Sequence, residues 1–206
     1  MAIQFLYFDL GGVLLNFSHA RMCRQIAQVA GVETESVRHA LFDTGLEIDY
    51  ERGDIDTAEF YERICQQIER RPPLSQLAVA ASDIFEVNVA TCGVLASLWG
   101  AGYRLGLLSN TNELHYNFFA DGRYSLIPKP FETLALSFRI GAVKPEAKIY
   151  HAAAELAGVA PAEIFFVDDV LGNVEGARDA GFDAVQYVGN SQLVRDLRAR
   201  GLRFNY

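Results

Sequence analysis

The sequence predicts an α/β protein, a doubly wound, Rossmann-like parallel sheet interrupted by an inserted helical domain. Three observations carry this expectation. Short continuous apolar runs recur at residues 3–8, 103–108, 133–138, 164–167 and 184–188, the pattern of strands buried on both faces. Segments of helical period mostly separate them. The stretch between the first run and the second is far longer than one crossover helix needs, and its pattern is helical throughout.

The first run ends in Phe8-Asp9-Leu10-Gly11-Gly12-Val13-Leu14, which puts a carboxylate where a parallel strand meets a loop. Ligands bind at that edge of open α/β sheets. The insert then begins. Ser18 is placed to cap a helix burying Met22, Ile26 and Ala30 and stopping at Gly31, and Thr34 to cap another built on Val37 and Leu41. Asp56 with Glu59 has the spacing of a capping box, Ile55 and Phe60 that of a hydrophobic staple, and the helix runs on through Ile64 and Ile68 to Pro72-Pro73. Leu77, Ala81 and Ile84 suggest a fourth helix. We expect a helical lid over residues 16–89 and an α/β core from 1–15 and 90–206, with the acidic stretch 47–56 facing the site.

In the core, Val94, Leu95, Leu98 and Trp99 share a helix face, as do Ile149, Tyr150, Ala153 and Leu156. Gly102 and Gly158 sit where helix-terminating glycines belong. Each later strand delivers polar residues to the same edge: Ser109-Asn110-Thr111, Lys144-Pro145 and Asp168-Asp169. In a doubly wound sheet the strand before Asp168 can lie beside the first, so Asp9, Asp168 and Asp169 would converge.

Composition narrows the function. The 206 residues carry 18 basic and 26 acidic side chains, a net charge of −8, which speaks against a nucleic-acid footprint. No apolar stretch has the length of a bilayer span, and the start has no basic leader pattern, so a cytoplasmic protein is expected. Cys23, Cys65 and Cys92 are scattered and odd in number, the pattern of buried reduced thiols. His19, His39, His115 and His151 form no ligand pair, and read as surface or capping residues. Nothing in the chain specifies an oligomeric state.

The chemistry that fits is phosphoryl transfer to an aspartate, which splits a hydrolysis into formation and breakdown of an acyl phosphate. Asp9 is the candidate nucleophile. Mg²⁺ suits such a site, held by one or two carboxylates. Asp168 and Asp169 supply these, with Asp9 and the Gly11 carbonyl as further ligands. Ser109 and Asn110 at a strand end, and Lys144 beside a proline, offer donors and positive charge for phosphoryl oxygens. Asn173 falls on the same helical face as Asp169. Taken singly, each motif has an ordinary reading as a turn, a cap or a solvated loop. Their order, each at a strand end, is what points to a site.

With those motifs in hand, the chain resembles the haloacid dehalogenase-like hydrolase superfamily, in the branch with a helical cap after the first motif. The resemblance rests on the stretch around Asp9, Leu107-Leu108-Ser109-Asn110-Thr111, Lys144-Pro145-Glu146, and Phe166-Val167-Asp168-Asp169 with Asn173-Val174-Glu175-Gly176-Ala177. Through Glu51-Arg52-Gly53-Asp54-Ile55 and Leu108-Ser109-Asn110-Thr111-Asn112 it is similar to bacterial phosphatases of α-glucose 1-phosphate. The resemblance implies Asp9 as nucleophile and metal ligand, Ser109, Asn110 and Lys144 on the phosphoryl group, and Asp169 on Mg²⁺ with Asp168 helping directly or through water. A small phosphorylated metabolite, such as a sugar phosphate, is the implied substrate.

One position departs from the pattern. Phosphatases of this superfamily mostly carry a second aspartate two residues after the nucleophile, as general acid and base. Gly11 stands there. A sugar 1-phosphate would need less help, and a cap carboxylate such as Glu47, Asp49 or Glu51 could stand in. Two other readings follow from the same gap: a non-catalytic phosphate-binding module, and a haloacid dehalogenase. Phosphonate cleavage through a cap lysine is excluded, because no lysine precedes Lys129.

Overall fold

A computed structural model describes residues 2–206. Five parallel strands form the central sheet: β1 (Phe5–Phe8), β4 (Leu105–Ser109), β5 (Thr133–Leu136), β6 (Ile164–Asp168) and β7 (Asp183–Gln186). Their spatial order is β5-β4-β1-β6-β7. Order reverses at β1, so the chain end of β1 opens a crevice flanked by β4 and β6. Asp9, Ser109 and Asp168 all stand at that edge.

Both faces of the sheet are covered, which is why its strands are apolar without alternation. Phe5 and Tyr7 point to one side, with Leu108, Ile164 and Phe166. There, beyond the single-turn α8 (Ser137–Ile140), α9 (Ala147–Ala157) and α10 (Leu171–Asp179) bury Ile149, Tyr150, Ala153, Val174 and Ala177. Leu6 and Phe8 point to the other, under α6 (Val89–Gly100) and α11 (Asn190–Ala199). Two residues assigned to these faces lie outside them. Trp99 is 42% exposed and Leu156 49%; each sits at the edge of its helical stripe, and apolarity alone misplaced them.

The insert begins with β2 (Leu15–Phe17) and ends with β3 (Phe85–Val87), a short antiparallel ribbon the sequence did not suggest. Between them lie α1 (His19–Ala30), α2 (Thr34–Arg38), a π-helical turn (His39–Asp43), α3 (Leu46–Arg52), α4 (Thr57–Gln67) and α5 (Leu74–Ser82). These helices bury a core of their own, including Met22, Ile26, Val37, Leu41, Tyr50, Phe60, Ile64 and Leu77. Ser18 caps α1 by accepting from the Arg21 N–H, and Gly31 ends it in the left-handed region. Thr34 is not a cap: Glu33 takes that place, without a side-chain bond. Asp56 accepts from the Glu59 N–H at 2.8 Å, but the Glu59 carboxylate turns to Arg63, so only half the expected box forms. An additional helix, α3, takes up the first part of the acidic stretch, ending at Arg52 with Gly53 as its cap.

Cys23, Cys65 and Cys92 are free and buried. No helix among the described residues is long and apolar enough to cross a membrane.

Candidate active site

Asp9 leaves β1 buried, its Oδ1 accepting from the Leu10 N–H at 2.7 Å. Lys144 approaches from the loop before α9, and its ammonium lies 2.8 Å from Asp9 Oδ1 and 2.6 Å from Asp168 Oδ2. A third bond reaches the Leu108 carbonyl at 3.1 Å. Burial works against the Lys144 charge, but Asp9 and Asp168 outweigh it and hold its pKa above the ordinary value. Asp168, fully buried, also accepts from the Val170 N–H and from Asn173 Nδ2, at 2.8 and 3.1 Å. Its oxygens are thereby filled with donors, which is the role Asn173 has.

Asp169 follows on the loop, less buried than its neighbour. One ligand oxygen from each of Asp9, Asp168 and Asp169 can be chosen so that all lie within 4.8 Å of one another. Burial, with Asp168 and Asp169 adding to it, pushes the Asp9 carboxyl up to about 7 against the pull of Lys144. Three carboxylates therefore share one ammonium. The donor chemistry is hard oxygen and the local charge is in deficit of cation, both of which suit Mg²⁺.

Gly12 is shaped by this cluster. It has φ +71°, and a Cβ there would meet Asp169 Oδ2 at 2.2 Å, so only glycine lets the first loop lie against the fourth. Gly11 has a different neighbour. A side chain at that position would run into the ring of Phe17, which β2 brings over the loop.

Ser109 ends β4 almost fully buried, facing the same cavity. Asn110, expected as a phosphate donor, uses its side-chain amide on the Lys144 backbone instead: Oδ1 accepts from the Lys144 N–H at 2.7 Å and Nδ2 donates to its carbonyl at 3.1 Å. It fixes the lysine loop to the serine loop.

The cavity above these groups measures about 200 Å³. Its far wall comes from the insert: Phe17, His19, Glu51, Ile84 and Phe85. His19 is the surface residue the sequence suggested, at the rim of this cavity, whereas the same reading of His115 is wrong. His115, on α7 (Glu113–Phe119), is buried, its ring nitrogens against Asn112 Nδ2 and the Ala81 carbonyl at 3.2 and 3.1 Å. Burial lowers its pKa to about 4, so it is neutral. His19 lies between the Phe17 and Phe42 rings, with Nε2 3.5 Å from Glu47 Oε1. Single histidines with no partner spacing gave no signal of this.

Glu47 and Glu51 share the inner face of α3, one turn apart, while Asp49 faces outward toward Arg63. Burial raises Glu47 to about 8, with Glu51 adding to the shift, and raises Glu51 to about 7 against the pull of Lys144.

A model of the haloacid dehalogenase-like hydrolases matches residues 4–181. D-ribitol-5-phosphate phosphatase of Bacteroides thetaiotaomicron is 24% identical over 189 residues, 89% of this chain and 91% of that protein. A phosphatase of Mycobacterium tuberculosis is 28% identical over 214 residues, spanning 98% and 96%. Among solved structures, an HAD family enzyme of B. thetaiotaomicron, crystallised with magnesium and inorganic phosphate, superposes with a TM-score of 0.80 at 27% identity, covering 90% of this chain and 94% of that one. L-2-haloacid dehalogenase of Xanthobacter autotrophicus, 19% identical with a TM-score of 0.65 over 96% and 83%, shares the fold.

Proposed function

Because the chain belongs to the haloacid dehalogenase-like hydrolases, and the relatives it matches along most of their length include phosphatases, we propose that it is a Mg²⁺-dependent phosphatase of small phosphorylated metabolites, sugar or polyol phosphates among them. The observation that carries this reading is the Lys144 ammonium held between Asp9 and Asp168 at 2.8 and 2.6 Å, on the floor of a small cavity that Ser109 and Asp169 also line.

Asp9 is the nucleophile, attacking through Oδ2, since Oδ1 is held by the Leu10 N–H and Lys144. Ser109 and Lys144 hold the phosphoryl oxygens, and Asn110 holds Lys144 in place. Asp9, the Gly11 carbonyl and Asp169 would hold the metal, with Asp168, already filled by Lys144 and Asn173, orienting the group. When bound, Mg²⁺ screens an anionic nucleophile from an anionic ester and polarises the phosphoryl oxygens. The phosphoryl group passes to Asp9, and water then attacks the phosphorus of phospho-Asp9 to release phosphate. Residues 16–89 are the cap of this site, closing it through β2, β3 and α3. The cavity volume favours a leaving group of a few carbons.

The test is a panel of phosphorylated metabolites assayed with and without Mg²⁺. Phosphate release from one or more members, abolished by chelation and by Asp9→Asn, is the expected result. Halide release from a 2-haloacid surviving chelation would replace this reading with the dehalogenase one. Absence of any release at high enzyme concentration would favour a binding module.

A further inference from the structure

We propose that Glu51, from cap helix α3, is the general acid and base of the reaction, replacing the side chain that Gly11 lacks. The inference rests on the phosphatase reading above and goes beyond it by assigning the proton-transfer group.

Elimination among the cavity-lining ionisable groups leads there. Asp9 is the nucleophile and Asp169 faces the metal cluster. Lys144 already donates to Asp9, Asp168 and the Leu108 carbonyl. His115 is neutral with both ring nitrogens engaged. The His19 ring is held between two phenylalanines and turned to Glu47. Glu47 lies one turn away, outside the cavity lining, and Asp49 points to Arg63 on the outer surface. Glu51 remains.

Residues 51–53 lie against the core through one backbone bond, one side-chain ion pair and one close approach. The Ser137 hydroxyl lies 2.5 Å from the Glu51 carbonyl while accepting from the Thr111 N–H at 2.9 Å, so one side chain joins α3 to the loop after β4. Arg52 pairs with Glu146, two residues beyond Lys144. Gly53, at φ +80°, lets the end of α3 approach so closely that a Cβ there would meet the Phe138 carbonyl oxygen at 2.3 Å. A carboxyl group on so anchored a turn is positioned for one task. Burial holds it near 7, where the acid and its conjugate base are both populated at neutral pH.

The steps balance. As Asp9 attacks and the bond from phosphorus to the leaving oxygen breaks, Glu51 gives its proton to that oxygen. Its carboxylate then takes a proton from water as the water oxygen bonds to phosphorus. The bond to Asp9 breaks, which restores both side chains.

The experiment compares kcat/KM of Glu51→Gln for the best primary-alcohol phosphate of the panel above, whose alkoxide needs a proton, and p-nitrophenyl phosphate, whose phenolate does not. We expect a loss on the order of 10²-fold for the first and less than about threefold for the second, with a burst of nitrophenol because breakdown of phospho-Asp9 lacks its base. Glu51→Asp should recover part of the alkyl phosphate rate, which separates loss of the carboxyl from loss of fold, and Asp49→Asn should behave as wild type. Equal losses on both substrates, or none on either, would overturn the role of Glu51 while leaving the phosphatase reading intact. A wild-type enzyme inactive on every member of the panel and on p-nitrophenyl phosphate would overturn the two together.

Discussion

A Cβ placed on Gly11 would lie 2.7 Å from Cε1 of Phe17. The space that a side chain at position 11 would enter is therefore taken by an aromatic ring from the first strand of the cap ribbon. Absence of the acid and presence of the ring are two sides of one packing arrangement.

This makes the pair testable by a double-mutant cycle. Gly11→Asp should destabilise the protein by no more than about 1 kcal/mol, because the exposed Phe17 ring can swing aside. Phe17→Ala should remove most of that penalty, giving a coupling of roughly 0.5 kcal/mol. Urea unfolding of the four variants measures it; additive effects would show that the ring and the glycine are independent.

Lys144 is the sole cation of the carboxylate cluster among the described residues. Its replacement by Met leaves Asp9 and Asp168 buried without a counter-charge, so we expect a stability loss of about 3–5 kcal/mol and no turnover. Added Mg²⁺ should return part of the stability, because a bound cation stabilises the folded state by mass action. Thermal unfolding with and without Mg²⁺ checks both parts.

His115 gives a stability signature with a defined sign. Its pKa falls from 6.5 in the unfolded chain to about 4 in the fold, by burial. Between those values the unfolded chain binds more protons. The stability that neutral His115 confers is therefore fully present above about 6.5 and is lost as pH falls toward 4. At about 1.4 kcal/mol per pH unit the loss approaches about 3 kcal/mol. Asp9, Glu47 and Glu51 act in the opposite direction, since their raised pKa values add stability as pH falls. The difference in unfolding free energy between wild type and His115→Gln, measured from pH 7 to pH 4, isolates the histidine. It should shrink steadily as the pH is lowered.

Legibility in the sequence followed physical strength of pattern. The strands β1, β4, β5, β6 and β7 were readable because burial on both faces demands unbroken apolar runs. The polar residues ending them were readable because the sheet edge is where ligands bind. The ribbon β2–β3 was not, since three-residue strands with exposed Phe17 and Val87 carry no period. Helix α3 was hidden by its charges: Glu47, Asp49, Glu51 and Arg52 surround the buried Leu46 and Tyr50. The function of Asn110 as a clamp on Lys144, and the burial of His115, depend on contacts between segments distant along the chain. No local spacing reports those.

The central claim is covalent chemistry at Asp9. The most direct measurement is peptide mass spectrometry after rapid acid quench of the enzyme turning over its best phosphorylated substrate with Mg²⁺. A phosphoryl group on the peptide containing Asp9, absent without Mg²⁺ and absent in Asp9→Asn, is the predicted result. Full Mg²⁺-dependent phosphate release by Asp9→Asn would contradict it.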